Sequence, residues 1–309
     1  MAEIIQKDGI WAFDGDALRL APGRGRNVGA LRRALGELLV PLGALAGISF
    51  EQGRRRGRLR VRLRDGADPL LLATGGRLTE PHDPYRLTVR PERYGVAEYF
   101  TDEVRDALLL ARVPGTPVSG YLLPGPPLPL SVSAGGGTAS FDGERVRLEW
   151  NWRTEDAKAA GGPRTVALAD ILGVEWQPPA GLENGHLRFR VAGAPAGGRA
   201  RYDPYAVELW GFRRDPLTAL VAAAVQARLP HPAATGVSGA SGAPRTAARA
   251  ARTAGEPEAS GEPGATATAA EGDLDALLRR LRELGELRRA GVLTDEEFTT
   301  AKQAVLTRM

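Results

Sequence analysis

WAFDGDALRL, residues 11–20, returns as ASFDGERVRL at 139–148, with Phe13 matching Phe141. Three further blocks repeat in the same order. VPLGALAGISF (40–50) answers VALADILGVEW (166–176), GRLRVRL (57–63) answers GHLRFRV (185–191), and DPYRLTV (83–89) answers DPYAVEL (203–209). Four ordered matches at nearly constant separation mean that the chain contains one unit twice, so whatever fold the unit adopts occurs twice.

Each unit reads as strands closed by a helix. The Asp-Gly steps after Phe13 and Phe141 accept the positive φ of a tight hairpin turn. Leu59, Val61 and Leu63 alternate with arginines at the period of a half-buried strand. Gly47 and Gly173 interrupt apolar runs, the mark of a bulge or of close backbone approach. The Asp-Pro-Tyr triplets start a last strand, since proline fixes φ and cannot donate to a central ladder. After them Val96, Phe100, Val104, Ala107, Leu108 and Ala111 in the first unit recur at helical spacing, as do Leu217, Leu220, Val221, Ala224, Val225 and Arg228 in the second. Antiparallel strands followed by one terminal helix predict an α+β fold, either packed sheets or a small barrel capped by a helix.

The FDG start, the VPL-x-x-(L/I)-x-G-(I/V) block, the DPY triplet and the closing helix resemble the uncharacterised actinobacterial proteins built from two pleckstrin-homology-like modules. The resemblance covers residues 8–230 and implies tandem pleckstrin-homology-like modules at 8–115 and 138–230, with no established activity. The second unit departs from the pattern at Ala167, where Pro41 has no counterpart, and in a longer polar insertion at 150–163. Residues 116–137, rich in Pro and then Gly, read as an extended linker between the units. Residues 231–272 are mostly Ala, Gly, Pro, Ser and Thr, too poor in large apolar side chains to bury a core, and predict a disordered linker.

Residues 273–309 form a separate unit, DLDALLRRLRELGELRRAGVLTDEEFTTAKQAVLTRM. Leu274, Leu277, Leu278, Leu281 and Leu284 share one helical face, Gly291 supplies a stop, and Thr294 with Glu297 forms a capping box for a second helix. The pattern resembles the SHOCT-type short C-terminal domain, matched at Leu281, Leu284, Leu287, Gly291, Leu293 to Phe298 and Lys302. Two short helices gain most of their stability from packing, so the face formed by the leucines with Leu293, Phe298 and Val305 calls for a partner. Homo-oligomerisation through this hairpin, or capture of an unknown protein partner, is the expectation.

For a catalytic site the chain offers little. It has no cysteine, which excludes disulfides, thiolate metal sites and a Cys nucleophile. His82, His186 and His231 lack metal-ligand spacing, and neither Gly23-Arg24-Gly25 nor Gly135-Gly136-Gly137 leads into the Lys-Ser or Lys-Thr of a phosphate loop. Glu155, Asp156 and Glu208 carry no sign of convergence, and the tryptophans of the second unit, at 150, 152, 176 and 210, suit core or sheet-face positions. No catalytic, cofactor-binding or metal-binding residue is expected, and no cofactor.

The calculated pI of 9.7 invites a search for anionic ligands, but the net charge is only +4 and all basic residues except Lys7, Lys158 and Lys302 are arginine. Arg60 and Arg62 have counterparts in Arg188 and Arg190, so they read as the solvated face of a strand. Arg54, Arg55, Arg56 and Arg64 have none, and they are the candidate anion-binding residues. The sequence therefore predicts a non-enzymatic cytoplasmic adaptor or scaffold. The alternative is a peripheral binder of anionic membrane through the arginine loop, with nucleic acid as the less favoured ligand.

Overall fold

The computed structural model describes residues 1–151, 158, 161–181, 183–195 and 198–235. The candidate assembly residues Leu274, Leu277, Leu278, Leu281, Leu284, Leu293, Phe298 and Val305 lie outside the described residues. Strands β1 (Ala2–Gln6), β2 (Gly9–Phe13), β3 (Ala17–Pro22) and β4 (Leu38–Pro41) form one antiparallel sheet in chain order, with the short helix α1 (Ala30–Leu35) between β3 and β4. Strands β5 (Leu45–Glu51), β6 (Gly57–Leu63) and β7 (Arg86–Val89) form a second, with α2 (Pro69–Thr74) between β6 and β7. Helix α3 (Tyr94–Leu110) closes the module.

The same plan recurs. Strands β8 (Leu130–Ala134), β9 (Gly137–Phe141), β10 (Arg145–Trp150) and β11 (Arg164–Ala167) make a four-stranded sheet. Strands β12 (Ile171–Gln177), β13 (Gly185–Val191) and β14 (Ala206–Leu209) make a three-stranded one, and helix α4 (Thr218–Gln226) closes it. The α+β class and the repeated antiparallel modules are as the sequence predicts. No described helix is long and apolar enough to cross a membrane.

Local chemistry agrees between the copies. Asp14 Oδ1 accepts from the amides of Asp16 and Ala17, and Asp142 Oδ1 from those of Glu144 and Arg145, so each Phe-Asp-Gly hairpin is held by its own aspartate. These backbone donors hold both carboxylates below the usual range. The β5–β6 ladder skips a residue between Leu45 and Gly47, and the β12–β13 ladder skips one between Ile171 and Gly173, which places both glycines at the anticipated bulge. Phe50 pairs with Leu59 and meets Tyr94 edge-on; Trp176 pairs with Leu187 and donates Nε1–H to Thr218 Oγ1. Both rings therefore point at the start of their closing helix.

Three boundaries differ from the sequence reading. Strand β1 precedes residue 8, β8 lies inside the segment 116–137 read as linker, and the helical turn Pro232–Thr235, with the buried His231 before it, lies inside the segment 231–272 read as a disordered linker. An alternating LSVSA segment after a proline run looks like spacer until Val132 is seen against the second core, paired with Ala139. The remainder of that segment is also fastened. Val118 N donates to Asp65 O, Leu122 and Leu123 N both donate to Ala67 O, and Val118 and Leu123 enter the first core.

The modules are joined through α1 and α2 of the first. Every residue of α4 is buried, whereas α3 keeps a solvent face with Glu98, Tyr99, Asp102 and Asp106. What covers α4 is α2, aided by α1: Leu31, Leu70, Ala73 and Leu78 belong to the second module's hydrophobic cluster. Asp68 caps α2 by accepting from the amides of Leu70 and Leu71, and it takes a 2.7 Å bond from the buried Tyr85 hydroxyl. Linker and tail root complete the seam, where Gln226 Nε2 donates to Tyr121 OH and His231 Nε2 meets Gly66 O at 3.1 Å with its ring against Tyr121.

Candidate functional site

Strand β6 carries Leu59, Val61 and Leu63 into the core and Arg58, Arg60 and Arg62 to solvent, as period-2 alternation requires. Arg54, Arg55 and Arg56 occupy the turn that follows β5, and all three are exposed without a hydrogen-bond or ion-pair partner. Arg64 does not join them. It sits beyond the other end of β6, where Nε donates to Thr116 O at 2.9 Å and Nη1 to Gly43 O at 3.0 Å. Seven residues of extended strand lie between, so Arg64 leaves the candidate anion set and becomes a clip for the inter-module segment. The sequence hid this because the carbonyls that hold Arg64 belong to residues 21 and 52 positions away.

The strand arginines differ between copies. In the second module Arg188 Nε pairs with Asp203 Oδ2 at 2.8 Å and its Nη2 donates to Gly198 O, leaving the side chain 16% exposed. Arg190 lies flat over Gly173, where an added Cβ would fall 2.2 Å from Nη2. In the first module the corresponding acid, Asp83, is taken by Arg86 at 2.9 Å, and Arg86 stands on β7 where the second module has Ala206. Arg60 and Arg62 are thereby left without a hydrogen bond or ion pair, and Arg62 Nη2 stays 3.8 Å from the matching Cβ position on Gly47.

A cleft of about 500 Å³ opens beside the Arg54–Arg56 turn. Besides the buried Arg32, its cationic lining comes from Lys7 in the β1–β2 turn, Arg26 in the β3–α1 loop, Arg56, and Arg90 just past β7. Asp8 and Glu80 are its acids. Asp8 is committed to the buried Arg32, whose Nη1 lies 3.9 Å from its Oδ2, and to the amide of Thr88. Glu80 is shared between Arg58 at 3.4 Å and Arg86 at 3.3 Å. Gln6 accepts from Arg90 N through Oε1, while its Nε2 has no partner. Lys7, Arg26 and Arg90 had no signal in the sequence beyond being single basic residues in loops, because only the fold brings three separate turns to one place.

The other polar groups are structural. His82 is pushed down by burial, and His186 faces Glu175 at 3.7 Å. Glu208 accepts from Asn184, whereas Glu155, Asp156 and Trp152 lie outside the described residues. Trp176 is core, and Trp150 donates to Gly162 O and carries the Lys158 ammonium 4.3 Å from its ring centre. Among the described residues no three His, Asp or Glu side chains gather as metal ligands.

The family profile described as "Domain of unknown function (DUF4429)" matches residues 11–105 and matches again at 139–226. The chain belongs to the DUF4429 family. Both DUF4429 matches start at the second strand of a module, so β1 and β8 lie just before them. The profile of a short C-terminal domain, SHOCT, matches residues 279–306. No curated protein matches the chain. The duplication and the SHOCT resemblance are thus both supported, and the arginine turn and cleft belong to the first DUF4429 unit.

Proposed function

We propose that this chain is a non-enzymatic adaptor, in which two pleckstrin-homology-like modules form one platform for a protein partner and the SHOCT hairpin assembles copies or recruits a second protein. The pleckstrin-homology-like reading is supported by four strands, then three, then a closing helix, in each module. The adaptor reading rests on one observation above all: α4 is buried on every side, between the sheets of its own module and helices α1 and α2 of the first. Two modules that share a core present their outer faces at a fixed spacing, which serves simultaneous engagement of partners. The hairpin is joined to this platform through a segment whose residues 236–272 are mostly Ala, Gly, Pro, Ser and Thr.

Light scattering with size exclusion on the full chain and on a chain ending near Ala270 tests the assembly half. A larger mass per chain for the full protein supports association through the hairpin, and equal association states refute it. Affinity purification with both forms tests recruitment, the expected result being a partner retained only by the full chain.

A further inference from the structure

We infer that the first module holds single-stranded nucleic acid by its phosphate backbone, along a cationic track that runs from Arg62 and Arg60 on β6 to the cleft of Lys7, Arg26, Arg56 and Arg90. The inference goes beyond the adaptor reading and rests on different residues.

Three observations carry it. The first is release: Arg86 occupies the Asp83 carboxylate whose counterpart, Asp203, binds Arg188 in the second module, so Arg60 feels the Asp83 charge at a distance and makes no hydrogen bond or ion pair. A guanidinium with no hydrogen-bonded partner on an ordered strand has its donors available for phosphate oxygens, for which its fork is suited. The second is spacing. Arg60 and Arg62 are alternate residues of an antiparallel strand and so stand about 6.8 Å apart, on the scale that separates successive phosphates of an extended single strand. The third is shape. The row is flanked on the β5 side by Glu51, opposite Arg58, and on the β7 side by Glu80 and Asp83. A flat anionic membrane would press its headgroups against those carboxylates, and the turn Gln52–Arg56 has no apolar side chain to insert. A linear polyanion threads between the carboxylates, and at the Gly57 end of β6 it meets the cleft, where the acids are already neutralised by Arg32, Arg58 and Arg86. No aromatic side chain lines the cleft, so the bases take no part and binding is independent of sequence.

The test is fluorescence anisotropy of a labelled fifteen-nucleotide oligo-deoxythymidine titrated with the full chain between about 50 and 200 mM salt. Six phosphate contacts predict a log–log salt slope of about −4. R60Q/R62Q reduces the slope by about 1.4 and the affinity at 0.1 M salt by roughly 25-fold, and R26Q/R90Q does the same from the cleft end. R145Q/R147Q, two exposed strand arginines of the second module, leaves both unchanged. Circular dichroism melting identifies any variant that fails to fold, and the other track variant then decides. Absence of binding by the wild type, or equal binding by a folded track variant, overturns the inference. Sedimentation of the wild type with phosphatidylglycerol vesicles but no oligonucleotide binding overturns it too and assigns the track to a membrane.

Discussion

Replacing Leu70 with Ala in the first module should destabilise the second. Leu70 is 3% exposed and lies on α2, within the cluster formed by α4, β12 and the second sheet pair. Truncating a buried leucine removes its transfer energy and leaves a cavity, typically costing about 2–5 kcal/mol. Helix α2 has six residues and is fastened at its start by Asp68, so it cannot slide far to refill the space. We take about 3 kcal/mol, which for a domain of this size lowers the melting temperature by about 6–12 °C. The assay exploits tryptophan placement: Trp11 is the first module's only tryptophan and the other four belong to the second. In a W11F background, thermal unfolding followed by tryptophan fluorescence reports the second module alone. If L70A leaves that transition within 1 °C of its parent while circular dichroism shows an earlier loss of strand signal, the modules unfold independently and the shared core is refuted.

Asp68→Ala should cost about 2–4 kcal/mol, roughly 1 from the lost cap and 1–3 from the stranded Tyr85 hydroxyl; urea denaturation should show D68A/Y85F losing less than the sum of the single variants. Arg64→Gln should lower stability by about 1 kcal/mol through two backbone carbonyls, whereas the R54S/R55S/R56S triple variant should stay within about 0.5 kcal/mol in the same measurement. Burial lowers the Lys158 ammonium from 10.5 to about 8. Between those values the unfolded chain holds a proton that the folded chain has released, so stability should climb as pH rises from 8 toward 10.5, by up to about 3 kcal/mol. K158M should lack the climb, and an equal rise in both proteins would assign it to other groups.

The sequence by itself determined the repeat, and with it much of the fold. Asp-Gly after a phenylalanine, glycine inside an apolar run, and three-four spacing after Asp-Pro-Tyr are local signals, each enforced by the residue's own backbone chemistry. They placed the hairpins, both bulges and both closing helices. Strands β1 and β8 escaped because each is the outer strand of its sheet, one lying before the first repeated block and the other following a proline run that reads as spacer. Of the candidate site the sequence singled out the turn of Arg54, Arg55 and Arg56, an excess that the second copy lacks, and of these Arg56 alone lines the cleft.

The rest was decided by tertiary structure. That α4 is buried on all sides could be suspected from its run of alanines, but α2 as its cover is a contact between residues about 150 positions apart. Arg64 was grouped with the turn by proximity in sequence, and the length of β6 separates them in space. Arg60 and Arg188 are equivalent in sequence and opposite in state, because a single residue on the neighbouring strand, Arg86 against Ala206, decides which arginine takes the shared acid. Ion pairing is a competition settled by three-dimensional neighbours, and a repeat alignment records only the competitors.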